Sequence, residues 1–104
     1  MDKQQKYREA IIAFLEDYSQ IKPSSWKNVQ NQVIIDRINN HYQLVRVGWH
    51  NEEHIHYAVF HFDLVNDKVL IQENRTDLPV IDELVDLGIH KDDIVLAFQE
   101  ALPV

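Results

Sequence analysis

The sequence predicts an α+β domain: an N-terminal helix, a four-stranded antiparallel β-meander, and two short C-terminal helices packed on the sheet. Three observations carry this. Apolar residues recur at spacings of three and four near the start, change to a period of two from Val29, and return to helical spacing beyond Asp77. Polar turns rich in Asn break the middle segment at hairpin intervals. A length of 104 residues suits a single domain, 1–104, with a core of its own.

The first helix is expected over residues 3–20. Tyr7, Ile11, Phe14, Leu15 and Tyr18 fall on one face, with Arg8, Glu16 and Asp17 off it. It should stop near Ile21, because Lys22 precedes Pro23 and a residue before proline disfavours helix. Lys-Pro-Ser-Ser (22–25) is linker-like but too short to separate domains. Gln30–Ile38 reads as the first strand, with Asn39-Asn40 as a two-residue turn. His41–Trp49 is the second strand, and His50–Glu53 a polar turn. His54–Leu64 is the third strand, apolar on both alternating faces and therefore central. Asn66-Asp67 turns the chain into Lys68–Glu73, the fourth. Asp77 is the expected N-cap of the next helix, with Pro79 in its first turn and Val80, Ile81, Leu84 and Val85 as its apolar stripe. Gly88 is the expected stop. Lys91–Phe98 reads as a last short helix with Ile94, Val95 and Phe98 inward. The final residues, QEALPV, carry little pattern.

Charge divides the chain. Residues 1–50 hold seven Lys/Arg against five Asp/Glu; residues 51–104 hold three against twelve. A duplex-binding domain needs a basic face, so direct sequence-specific nucleic acid binding is not expected. An acidic surface suits a basic protein partner, or simply keeps the chain soluble. There is no cysteine, hence no disulfide framework or thiolate site, which fits a cytoplasmic setting. The opening MDKQQKYREA lacks an apolar export segment, and no run is long enough for a membrane helix.

Six histidines raise the question of metal. His54 and His56 alternate onto one face of the third strand and are the weak metal candidates. His61 and Asp63 share a face, expected to be the opposite one, so strict alternation splits the four. No HExxH-type spacing accompanies them. His61 and Asp63 fit an acid–base pair, but with no nucleophile in sight a polar pair capping the sheet edge is the stronger reading. Gly48 and Gly88 are the only glycines, which excludes a glycine-rich phosphate loop. No serine sits on a strand-to-helix elbow. The aromatics lack interleaved cations for base stacking, and suit packing, with Trp26 and Trp49 as interface anchors.

Several elements together resemble one family. His41-Tyr42-Gln43-Leu44 with Val47-Gly48-Trp49 is similar to the HYQL…VGW element of XisI proteins. His61-Phe62-Asp63-Leu64 with Lys68-Val69-Leu70-Ile71-Gln72 matches a second element. Asp82–Ile89 with Lys91–Phe98 resembles the ELV…DIVLGF end. The resemblance covers nearly the whole chain. It departs where the family has proline in place of His90 and glycine in place of Ala97. What it implies is an accessory role in programmed excision of a DNA element, the cyanobacterial fdxN element, during heterocyst differentiation. The resemblance also implies a family with no established catalytic residues, usually found beside a nuclease-fold partner, XisH; a non-enzymatic protein without a cofactor is therefore expected. The expected partners are therefore an XisH-like protein and a second copy of the chain, since a small two-sided sheet leaves a face uncovered. An antitoxin-like neutraliser of a nuclease-fold partner is the alternative function, and a His/Asp metal-dependent enzyme the more remote one. Asp36, His41, Trp49, His61, Asp63, Gln72, Glu83 and Lys91 are the candidate interaction residues.

Overall fold

Helix α1 runs Lys3–Tyr18 in the computed structural model, which describes residues 2–21 and 25–99. Part of the expected linker and its proline (22–24), and the end of the chain (100–104), lie outside the described residues. Asp2 sets the start of α1: its backbone is extended and its carboxylate accepts the Gln5 N–H at 2.7 Å. The helix ends short of the expected Gln20. The Ser19 hydroxyl donates to the Glu16 carbonyl, and the Asn31 amide donates to the Ser19 and Ile21 carbonyls. A strand side chain thus satisfies the carbonyls left open past the helix end.

Strands β1 (Val29–Asp36), β2 (His41–His50), β3 (Glu53–Val65) and β4 (Lys68–Asn74) form the expected antiparallel meander. The first turn is longer than the two-residue one expected. Strand β1 stops at Asp36, whose carboxylate accepts the N–H groups of Ile38 and Asn39, both at 3.0 Å. That local bonding competes with continuing the ladder. The other two connections are two-residue turns, Asn51-Glu52 and Asn66-Asp67, with every residue at positive φ.

The C-terminal region departs from expectation. Helix α2 spans Val80–Asp86 and begins after Pro79, without a side-chain cap. Asp77 is not its N-cap. Instead Asn74 and Thr76 knit the preceding turn: Asn74 Oδ1 accepts from the Thr76 N–H and hydroxyl, and Thr76 Oγ1 accepts from the Leu78 N–H. The expected last helix, Lys91–Phe98, is a single 3-10 turn (Lys91–Asp93) followed by a fifth strand, β5 (Ile94–Leu96). Strand β5 pairs parallel to β4, so the sheet is mixed, in the order β1-β2-β3-β4-β5. Three consecutive aliphatic residues meet the open edge of β4 there, and pairing satisfies that edge. Phe98, expected inward, is exposed.

Helix α1 lies on one face of the sheet, and α2 closes that layer's end. The core between them includes Tyr7, Ile11, Phe14 and Leu15 from α1; Tyr42, Leu44, Phe60, Phe62 and Ile71 from the sheet; and Leu84 and Ile89. Phe60 meets the Phe14 and Tyr18 rings edge-on, with centroids 5.1 and 4.8 Å away. Burying each such side chain contributes about 1.5–3 kcal/mol. Among the described residues no helix covers the opposite, outer face.

Candidate functional site

Two β-bulges position the site. Leu44 pairs with Phe60, but Val45 pairs with Ala58, so Val59 is an extra residue in β3. The second bulge lies in β4 at Gln72, between the pairs His61↔Glu73 and Phe62↔Ile71. An extra residue reverses the alternation of everything beyond it. His54 and His56, opposite Trp49 and Val47, therefore share the outer face with His61 and Asp63, opposite Gln43 and His41. The separation of these four onto opposite faces, expected from strict alternation, does not hold.

Four of the candidate residues meet on that face. The cross-strand pair His41↔Asp63 brings β2 to β3. Asp63 Oδ1 lies 2.6 Å from His41 Nδ1 and 2.8 Å from His61 Nε2. Gln72 Nε2 donates to Asp63 Oδ2 at 3.2 Å. An ionised carboxylate only accepts, so both ring nitrogens present N–H to it. The Asp63 side chain is 13% exposed, His61 28% and His41 49%. The Asp63 hydrogen bond, reinforced by its charge and that of Asp36, raises the His41 pKa above the ordinary imidazole value. Asp36 stands opposite His41 in the β1–β2 register. Its own pKa is lowered, mainly by the backbone N–H of Asn39 and then by that residue's amide.

The other candidates lie elsewhere. Trp49 is exposed at the far end of the outer face, its ring 5.0 Å from that of His54, which in turn stacks on His56. No third ligand joins His54 and His56 in a metal-type cluster among the described residues; the group of that kind is His41, His61 and Asp63. Glu83 is on α2, bordering a groove of about 270 Å³ between α1 and α2. That groove has Phe14, Tyr18, Leu78 and Leu87 in its walls and Asp17, Glu83 and Asp86 as its charged residues. Lys91 lies on the 3-10 turn, at a separate groove with Ile71, Val80 and Phe98.

Two features went unrecognised in the sequence. Arg46 is 8% exposed on the helix-side face, donating to Asn31 Oδ1 at 2.9 Å and to the Tyr57 hydroxyl at 3.4 Å, with its guanidinium over the Trp26 ring. Its place among apolar strand neighbours was the available signal. Asp93 ties the C-terminal turn to α1: the Tyr7 hydroxyl donates to it, and Lys3 pairs with it at 2.8 Å. Those two hydrogen bonds lower the Asp93 pKa. The Tyr7 hydroxyl also accepts the His90 N–H at 3.2 Å.

The comparisons agree with this architecture. A family model described as XisI protein matches residues 1–102. A XisI-like protein from Anabaena variabilis ATCC 29413 is 37% identical, with a TM-score of 0.85 over 93% of this chain and 88% of that one. The fdxN element excision controlling factor XisI from the same organism is 28% identical, with a TM-score of 0.80 over 96% of both chains. No curated protein matches the chain.

Proposed function

The chain belongs to the XisI family, and on that premise we propose that it is a non-enzymatic accessory factor controlling excision of a DNA element through protein contacts. The Anabaena variabilis relative is an fdxN element excision controlling factor, which supports this process. The observation that carries the contact mode is the groove between α1 and α2. It joins an apolar floor to Asp17, Glu83 and Asp86, a combination suited to a basic amphipathic segment of a partner. The partner is an XisH-like protein, met in the cytoplasm. Self-association uses the outer sheet face, where Trp49 and Ile34 are exposed.

The test is genetic. Deleting the chain's gene should abolish the excised junction, and restoring it should recover the junction. A variant with Glu83→Lys and Asp86→Lys should fail to restore it while accumulating normally. An unchanged junction frequency on deletion would remove the excision role.

A further inference from the structure

We propose that His41, His61 and Asp63 form a binding site for a divalent transition-metal ion of the zinc class. The inference is independent of the excision reading. Two imidazole nitrogens and one carboxylate oxygen are the donor set that such ions take when three ligands come from protein and a fourth position stays open. Here one atom of each residue already converges, all within 4.8 Å of one another.

Ligation needs a local shift of the two rings. Tetrahedral ligation at about 2.0–2.1 Å places ligand atoms about 3.3 Å apart. The nitrogens now stand 2.6 and 2.8 Å from the shared oxygen. As the ion enters, each nitrogen moves out from the oxygen by about half an ångström, and the two nitrogens, within 4.8 Å of each other, close to the same spacing. Each gives up its N–H proton, and a neutral imidazole takes one back from solvent on its other ring nitrogen. The ion then replaces two hydrogen bonds with three coordinate bonds.

The surroundings fit the same assignment. Gln72 holds the second Asp63 oxygen, as an outer partner that orients a ligating carboxylate. His41 and His61 come from adjacent strands, so the sheet itself fixes their spacing. The Gln72 bulge sits next to His61↔Glu73, where a bulge re-aims side chains. His41 is half-exposed, which leaves an entry path and an open position for water or a partner's side chain.

The test uses the full chain after removal of metal by chelator. Zn²⁺ is titrated by calorimetry, and Co²⁺ by its visible absorption. The expected result is one equivalent of ion per chain, with intense Co²⁺ bands of low-coordinate geometry. Asp63→Asn and His61→Gln should each weaken binding by about a hundredfold or more, and Gln72→Ala by about tenfold. A double variant, His54→Ala with His56→Ala, should bind as the parent does. Circular dichroism confirms that each variant is folded. No binding by the folded parent at millimolar ion, undiminished binding by Asp63→Asn, or binding lost in the His54/His56 double variant would each overturn the assignment.

Discussion

Replacing Gly48 with alanine should destabilise the fold severely, for a reason visible in the backbone. Gly48 lies opposite Val29 at the start of β1 and has φ +151. A Cβ built there falls 2.0 Å from the Asn28 carbonyl oxygen and 2.7 Å from Val29 Cα. Both are main-chain atoms, so no rotamer change relieves the overlap. The Asn28 oxygen also accepts the Trp49 N–H at 3.1 Å. Two costs combine. The unfavourable φ costs about 1–3 kcal/mol for a side-chain-bearing residue. Moving the start of β1 away loses one or two hydrogen bonds at about 0.5–1.5 kcal/mol each, and loosens the buried Val29. The sum is about 3–5 kcal/mol, a large part of the roughly 5–15 kcal/mol that holds a domain folded. Urea unfolding followed by tryptophan fluorescence suits the test, since Trp49 is the next residue. With a slope of about 1.5 kcal/mol/M, the midpoint should fall by about 2–3 M. Gly88→Ala is the comparison: its Cβ meets only the flexible Lys6 side chain, at 3.3 Å, and φ +107 supplies the strain. It should cost about 1–3 kcal/mol. A Gly48→Ala loss below about 1 kcal/mol would refute the close-approach argument.

Three further outcomes are expected. Phe60→Ala, at a fully buried ring between Phe14 and Tyr18, should cost about 3–5 kcal/mol by calorimetric or urea unfolding; a loss under 1.5 kcal/mol would mean the core is not centred there. Arg46→Ala should cost about 2–3 kcal/mol, because it strips Asn31 and Tyr57 of a buried partner and uncovers Trp26; parent-like stability would contradict the burial. Asp93→Asn should cost about 1–2 kcal/mol at pH 7, most of it from the Tyr7 bond since Lys3 is half-exposed. The Asp93 pKa is lowered in the fold, so its contribution is complete above the unfolded value of about 4 and fades as pH falls through the lower folded one. The gap between parent and variant should therefore narrow below pH 4, and a constant gap down to pH 2 would contradict the linkage.

How far the sequence reveals this molecule depends on whether the deciding contact is local. Helix α1 and the four meander strands were legible because their apolar periods and Asn-rich turns are local signals. The Val59 bulge was not. Ala58, Val59 and Phe60 are all apolar, so the slip of one residue leaves no break in the pattern. Strand β5 was missed because Ile94, Val95 and Phe98 satisfy helical spacing, while the open edge of β4 that claims them is distant in sequence. Asp77 and Pro79 matched a helix start, yet Asn74 and Thr76 took over the turn. At the site, His41, His61, Asp63 and Gln72 were all nameable as candidates. Their convergence was not, because it follows from the β2–β3 register and two bulges. Trp49, Glu83, Lys91 and Asp36 remain outside that cluster, and Trp49 and Glu83 belong to the surfaces assigned above to protein contacts.

The proposed function requires the groove between α1 and α2 to grip an XisH-like partner. Its most direct measurement is the affinity of the purified pair, by calorimetry, for the parent and for the Glu83→Lys, Asp86→Lys variant at two salt concentrations. The expected result is a one-to-one complex that weakens with salt, and at least a tenfold loss of affinity in the variant. No complex with the parent, or equal affinity for both proteins, would contradict it.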